Sequence, residues 1–239
     1  MELRDILNSE QNYTQTIEKK IEFIKRDLLE YKEFENEWQS DRVYSHFART
    51  FMYQYQIMIS KYSLGLPILD LVEDYKHSIS FMEKGWKAES GYVQMVWMLS
   101  IGILLEIEQE NFDKLITLVE RDGLKDFVVD FLISYRKPSR QKQSNDFQFS
   151  KPYKAIQEII SLETNDKQTA VIRLQKYLQK EWYSGHKGSG WHDDHKSKWG
   201  VHFGYWSFES GAIVKILGLD DSSLKDQQYY PYDLVHWGK

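Results

Sequence analysis

Apolar residues recur at spacings of three and four along most of this chain of 239 residues. Helices with this spacing have one apolar side, which must be buried. Residues 41–63 are typical, with Val43, Phe47, Phe51, Tyr55 and Ile59 in register. No stretch alternates apolar and polar residues between hairpin turns, so no sheet is expected. The sequence predicts an all-α protein, an array of packed antiparallel helical hairpins in two halves.

The two halves differ in charge. We place an N-terminal helical domain at 1–123 and a C-terminal helical domain at 124–239, with a polar loop at 136–151. The first half carries 14 Lys/Arg against 22 Asp/Glu and the second 17 against 14, for net charges of −8 and +3. An acidic half suits a basic partner and argues against direct binding to nucleic acid.

Composition also restricts the compartment and the chemistry. The chain has no cysteine, which excludes disulfides, thiolate metal sites and Cys nucleophiles and fits a reducing cytoplasm. No apolar signal segment follows Met1. The most apolar stretch, 93–107, is shorter than the roughly 20 residues that a bilayer crossing needs. We therefore expect a cytoplasmic protein without a membrane partner.

A carboxylate interrupts the apolar side of the C-terminal stretch 204–221, which is predicted to form one helix ending at Gly218. Glu209 lies between two aromatic residues and two aliphatic ones, Tyr205, Trp206, Ala212 and Ile213. A buried carboxylate needs a partner, and His202 on the same helical face, His195, Tyr232 or a lysine are candidates. Glu209 is either a catalytic or ligand-binding acid or, the favoured interpretation, a structural glutamate.

Four of the seven histidines lie in a glycine-rich stretch, residues 183–203, together with two aspartates; these residues are His186, His192, His195, His202, Asp193 and Asp194. Imidazole and carboxylate groups are ligands for zinc or non-haem iron. One hypothesis is therefore a metal-dependent hydrolase that uses the loop 186–202 with Glu209. No metalloprotease, nucleophile-elbow, phosphate-loop or dinucleotide motif is present. We predict no catalytic residue, no metal and no cofactor, and keep the hydrolase as an alternative.

An acidic stretch closes the first predicted helix, residues 5–37. Six acidic residues and one lysine lie between Asp27 and Asp41. Glu30, Glu33 and Glu37 are predicted to share a helical face. This face is either an ordinary solvated surface or a docking surface for a basic protein.

The C-terminal motifs resemble the PoNi immunity proteins, which protect bacteria from DNA-degrading PoNe toxins of polymorphic secretion systems. The resemblance is carried by the segments Gly204–Glu209, Ala212–Asp221 and Tyr229–Leu234 and by the upstream His195. Gly211 departs from the alanine expected there. The long first helix and the tyrosines Tyr53, Tyr55 and Tyr62 of the second resemble the family's N-terminal domain.

The resemblance implies a non-catalytic protein that binds and inhibits a cognate DNase toxin. It assigns a structural role to the motif residues His195, Tyr205, Trp206, Glu209, Tyr230, Pro231 and Asp233. The candidate toxin-binding residues are Glu30, Glu33, Glu37, Trp191, Asp193 and Asp194. A helical scaffold without a toxin partner remains a further alternative. The toxin's identity, the mode of inhibition and the oligomeric state stay open.

Overall fold

A computed structural model describes residues 2–140, 143–163 and 166–238. These residues form helices and no β-strand, which confirms the all-α prediction. The α-helices are α1 Glu10–Phe34, α2 Ser40–Leu64, α3 Leu71–Gly85, α4 Ala88–Leu104, α5 Gln109–Arg121, α6 Phe127–Arg136, α7 Ser150–Glu163, α8 Lys167–Lys176, α9 Tyr183–Gly185, α10 Phe208–Leu217 and α11 Tyr232–Val235. A π-helical segment, Tyr177–Trp182, joins α8 to α9.

Local capping explains where several of these helices begin and end. The hydroxyl of Ser9 accepts a hydrogen bond from the backbone N–H of Asn12 at the start of α1. Asp126 caps α6 through the N–H groups of Val128 and Val129. Gly218 adopts a left-handed conformation directly after α10, as the sequence predicted.

One compact unit contains residues 1–90 and 193–205. In this unit α2 packs against both α1 and α3. Its core is rich in aromatic side chains, including Tyr13, Phe51, Tyr55, Tyr62 and Tyr75. The extended segment 201–205 is bonded to the N-terminal residues and to α2, since Ser63 donates to the carbonyl of Phe203.

The second compact unit contains residues 91–192 and 206–239. It starts at Gly91, a residue with non-helical backbone inside α4. The part of α4 that follows Gly91 is mostly buried, and α7 packs against α8 and the π-helical segment. No helix in the described part of the chain has the length and apolar character that crossing a membrane requires.

These units group the chain differently from the predicted halves. Residues 91–123 lie in the unit that holds most of the C-terminal half, and residues 193–205 lie in the unit that holds most of the N-terminal half. The first unit contains two stretches that are about 100 residues apart in the chain. Local sequence patterns do not show that these stretches pack together. The division into domains at residue 123 stays a prediction.

The predicted polar loop 136–151 is shorter in the structure, because α6 ends at Arg136 and α7 begins at Ser150. Residues 141 and 142 of this loop lie outside the described part. Its first segment is anchored by Arg140, whose guanidinium binds Asp130 at 2.6 Å and Glu120 at 2.7 Å. The carboxylate of Asp130 also accepts from the N–H of Ser144.

Candidate functional site

The last long helix, α10, starts later than the sequence pattern predicted. Residues 201–206 are not helical, and Gly204 has a φ of 121°. The N–H of Ser207 donates to the carbonyl of Tyr229 at 2.8 Å. The prediction of a helix from residue 204 was therefore wrong. A distant backbone partner thus keeps this segment out of the helix, and Glu209 lies in the first turn of α10.

The carboxylate of Glu209 is buried at the start of its own helix. Its Oε1 accepts from the hydroxyls of Ser207 at 2.9 Å and Tyr177 at 3.0 Å. Its Oε2 makes no hydrogen bond of normal geometry with any described residue. Burial raises the pKa of Glu209, against donation from its own N–H and from the two hydroxyls. The helix N-terminus and these donors account for a structural glutamate.

His202 is not a partner of Glu209, because it precedes α10 and belongs to the other compact unit. It lies buried between two carboxylates. Its Nδ1 is 2.6 Å from Oδ1 of Asp194 and its Nε2 is 3.0 Å from Oδ2 of Asp5. Burial lowers the pKa of His202, but the hydrogen bonds to Asp194 and Asp5 outweigh this effect and raise it to about 9. The group is thus an imidazolium between two carboxylates.

Two further residues extend this cluster. The hydroxyl of Tyr205 donates to Oδ1 of Asp194 at 2.7 Å, and its backbone N–H donates to Asp5. The ring Nδ1 of His195 lies 2.9 Å from the Tyr205 hydroxyl. His195 and Tyr205, both predicted to be structural, are thereby brought together. We call Asp5, Asp194, His195, His202 and Tyr205 the His202 cluster.

The remaining histidines of the glycine-rich stretch are engaged in packing. His186 is buried, with Nε2 3.0 Å from the Tyr153 hydroxyl and Nδ1 2.7 Å from the Trp182 carbonyl. Burial lowers its pKa to about 4, so the ring is neutral. His192 stacks on Tyr183 with ring centroids 4.2 Å apart.

The residues of the hydrolase hypothesis are not arranged as a metal site. Among the described residues, no group of three or more His, Cys, Asp or Glu side chains is placed to hold an ion. Both ring nitrogens of His202 already contact carboxylates. His192 and Glu209 lie in one compact unit, whereas Asp193, His195 and His202 lie in the other. No geometry in the described chain favours this alternative.

The C-terminal motif residues mostly hold the second unit together. The buried hydroxyl of Tyr230 donates to Asp221 at 2.6 Å, and His236 contacts the same carboxylate. Pro231 precedes α11, and a Cβ atom added at Gly211 would lie 2.9 Å from its Cγ. Close packing of α10 on α11 explains why glycine stands where alanine was expected. Trp206 is buried, whereas Asp233 is exposed in α11.

The acidic residues occupy the end of α1 and the turn that follows it. Glu33 is exposed on α1, but Glu37 lies in the turn after the helix ends at Phe34. The prediction that Glu30, Glu33 and Glu37 share a helical face was therefore only partly correct. Glu30 pairs with Arg42 at 3.3 Å. Within the described residues, Glu33, Glu35, Glu37 and Asp41 form no ion pair; these four residues are the acidic turn.

The other candidate binding residues have different environments. Trp191 is half-buried and packs against Trp182 and Trp97, with centroids 5.7 and 5.8 Å apart. Asp193 forms an ion pair with Lys196 at 2.9 Å. The carboxylate of Asp194 is occupied by His202 and Tyr205. As toxin contacts all three stay predictions.

Two features of the first unit were not predicted from the sequence. Asp5, in a charged N-terminal stretch, carried no signal of burial, and only its contact with His202 explains it. The exposure of Trp199 was not predicted either, and 76% of this side chain is accessible to solvent. The position of Trp199 between a lysine and a glycine in a loop was the sequence feature that could have indicated its exposure.

The described residues form an all-α protein in which His186, His202 and Glu209 are buried structural contacts. Two family models match the chain, one for the N-terminal part of the PoNe immunity proteins (PoNi) over residues 4–117 and one for their C-terminal part over residues 124–234. The chain therefore belongs to the PoNe immunity protein family, and its role is that of an immunity protein.

The fold recurs in a solved structure. The crystal structure of protein PA2201 from Pseudomonas aeruginosa is similar with a TM-score of 0.69 and 16% sequence identity, over 99% of this chain and 98% of that one. At this identity the likeness concerns the fold alone. No curated protein matches the chain.

Proposed function

We propose that this protein binds a cognate PoNe-type DNase toxin in the bacterial cytoplasm and inhibits it, without catalysis of its own. Family membership supplies the immunity role, and the observation that carries the choice of a DNA-binding target is the acidic turn. A nuclease needs a positive surface to hold DNA phosphates. Carboxylates presented by an inhibitor compete for that surface and speed the encounter with it.

The position of the acidic turn supports a binding role rather than a stabilising one. Glu33 lies in the last turn of α1 and Glu35 caps its C-terminus. Negative charge is unfavourable there, because the helix macrodipole places partial negative charge at the same end. Neither carboxylate is neutralised by an ion pair within the described chain. Glu33 and Glu35 therefore do not stabilise α1, and their carboxylates are exposed where a basic partner can bind them.

A direct binding and activity assay tests the proposal. The product of the gene beside this one, where an immunity protein's toxin is expected, is purified and assayed for DNase activity with and without this protein. We expect stoichiometric complex formation, loss of DNA cleavage and weaker binding as salt rises. A nuclease that remains fully active in the presence of excess protein contradicts the proposal.

The same assay separates two ways of inhibition. If the protein occludes the DNA-binding surface, DNA and the protein compete, and excess DNA lowers the apparent affinity. If it distorts the nuclease site, the toxin in the complex still binds DNA but does not cleave it. We favour competition, because the carboxylates of the acidic turn carry negative charge as the phosphates of DNA do.

A further inference from the structure

Three apolar side chains are exposed on one part of the first unit. The exposed fractions are 83% for Ile6, 76% for Trp199 and 50% for Val201. Isolated exposed apolar residues are common on protein surfaces, but a contiguous group is typical of an interaction site. Tryptophan is also among the residues that contribute most to protein interfaces.

Hydrogen bonds hold these three residues on adjoining segments. Asp5 and Asn8, on either side of Ile6, bond to the ring and to the carbonyl of His202. Val201 and Trp199 precede His202, and the intervening Gly200 packs against Asn12, whose Cγ would lie 3.0 Å from a Cβ at that glycine. The segment therefore turns residues 200 and 202 inward and residues 199 and 201 outward.

The His202 cluster makes this surface rigid. The imidazolium of His202 contacts both Asp5, near the N-terminus, and Asp194, in the segment 193–205. The hydroxyl of Thr16 and the amide of Asn8 bond to backbone carbonyls of the same segment. An apolar surface that is already ordered loses little conformational entropy when a partner binds.

The charges around the surface indicate the kind of partner. Lys198 lies over the Trp199 ring at 4.9 Å and forms no ion pair with a described residue. Lys196 is paired with Asp193. Glu2 and Glu10, on either side of Ile6 in the chain, are exposed. The exposed carboxylates of Glu2 and Glu10, in the same N-terminal stretch as Ile6, disfavour DNA or an anionic membrane, so a protein with an apolar patch and a carboxylate for Lys198 fits best.

We propose that Ile6, Trp199 and Val201 form the apolar centre of the surface that docks the cognate toxin, with Lys198 pairing a toxin carboxylate at its edge. This inference rests on the proposed function and adds a second contact region to it. Thr16, which bonds to Gly200, and Phe34, at the end of α1 where the acidic turn begins, are 18 residues apart in one helix, which corresponds to about 27 Å at 1.5 Å per residue. The acidic turn and this apolar surface are thus separate regions of the same unit.

Toxin binding by Trp199→Ser and by a matched control, Leu69→Ser, tests the apolar centre. Leu69 is 67% exposed in the same unit. We expect Trp199→Ser to weaken toxin binding about 30-fold, mainly through faster dissociation and at both low and moderate salt. Leu69→Ser should bind like the wild type. Thermal unfolding of both variants checks that this exposed position does not affect the fold.

Charge reversal at Lys198 tests the edge of the surface. Lys198→Glu should weaken toxin binding, whereas Lys154→Glu, an exposed lysine on α7 in the other unit, should not. If Lys198 instead faces a basic surface, Lys198→Glu strengthens binding and the assignment is overturned.

Four other outcomes also overturn the inference. Trp199→Ser binding the toxin as tightly as the wild type removes this surface from the interface. A wild-type dimer in sedimentation that Trp199→Ser dissociates, with toxin binding unchanged, assigns the surface to a second copy of the chain. Tryptophan-dependent binding to vesicles of phosphatidylcholine and phosphatidylserine assigns it to a membrane. A wild-type protein that does not bind the toxin overturns the proposed function as well.

Discussion

The Nδ1 atom of His202 lies 2.6 Å from Oδ1 of Asp194, and the histidine side chain is 1% exposed. Eight residues separate the two in the chain, and Asp5 completes the contact from the opposite end of the sequence. The charged ring of His202 thus joins the segment 193–205 to the N-terminal residues. Breaking a buried ion pair is costly because it leaves an uncompensated charge behind.

The stability of the protein should therefore depend on the protonation of His202. Its pKa is raised from 6.5 to about 9 on folding, so its contribution is fully present below pH 6.5 and is lost as the pH rises through 9. A rise of this size corresponds to about 3 kcal/mol. Urea unfolding of the wild type between pH 6 and pH 10 should show this decline.

His202→Gln should remove that decline and destabilise the protein at neutral pH. The exposed His77 on α3 provides a control, His77→Gln, that should keep the wild-type pH dependence. A His202→Gln variant with the same slope as the wild type would show that another group titrates.

Glu209 should tolerate amidation better than truncation. Because burial raises its pKa, the charged form of Glu209 costs stability as the pH rises above the pKa that the side chain has in the unfolded chain. Glu209→Gln should match or exceed the wild type at pH 7. Glu209→Ala should lose about 2 kcal/mol or more, since the hydroxyls of Tyr177 and Ser207 lose their acceptor. Equal destabilisation of both variants in chemical unfolding would contradict this explanation of Glu209.

Gly85 lies where the backbone of α3 comes close to that of α2. A Cβ atom at this position would lie 2.2 Å from the backbone N of Ala48 and the carbonyl carbon of Phe47. Backbone atoms cannot move aside as a flexible side chain can, so Gly85→Ala should destabilise the protein by about 2 kcal/mol or more. Gly188→Ala, with no atom within 4 Å of the added methyl group, is the control and should leave the unfolding free energy nearly unchanged.

The acidic turn should govern the rate of toxin association. Reversing Glu33 and Glu37 to lysine should slow association about tenfold at low salt and by less at moderate salt. Glu30 is left out because it pairs with Arg42. Glu83→Lys with Glu89→Lys makes the same change of net charge on exposed sites of the same unit. Stopped-flow rates that fall equally in both double variants would attribute the effect to net charge alone.

The sequence by itself determined the helical class, the family and the approximate extent of most helices. Spacings of three and four and the glycine after α10 are local signals, and local signals suffice for helices. Glu209 was also recognised as buried, since its neighbours in the helix are apolar. The acidic stretch was visible, although the end of α1 at Phe34 moved Glu37 off the predicted face.

Only the tertiary structure decided which distant groups meet. His202 was assigned to the face of Glu209 because the pattern from residue 204 continued the helix backwards, but the bond from Ser207 to Tyr229 keeps that segment out of the helix. Its true partner Asp5 lies 197 residues away, a separation that no periodicity records. The exposure of Trp199 has the same origin, because it depends on which side of the segment the N-terminal residues cover. Contacts of this kind follow from the packing of the whole chain and not from local sequence.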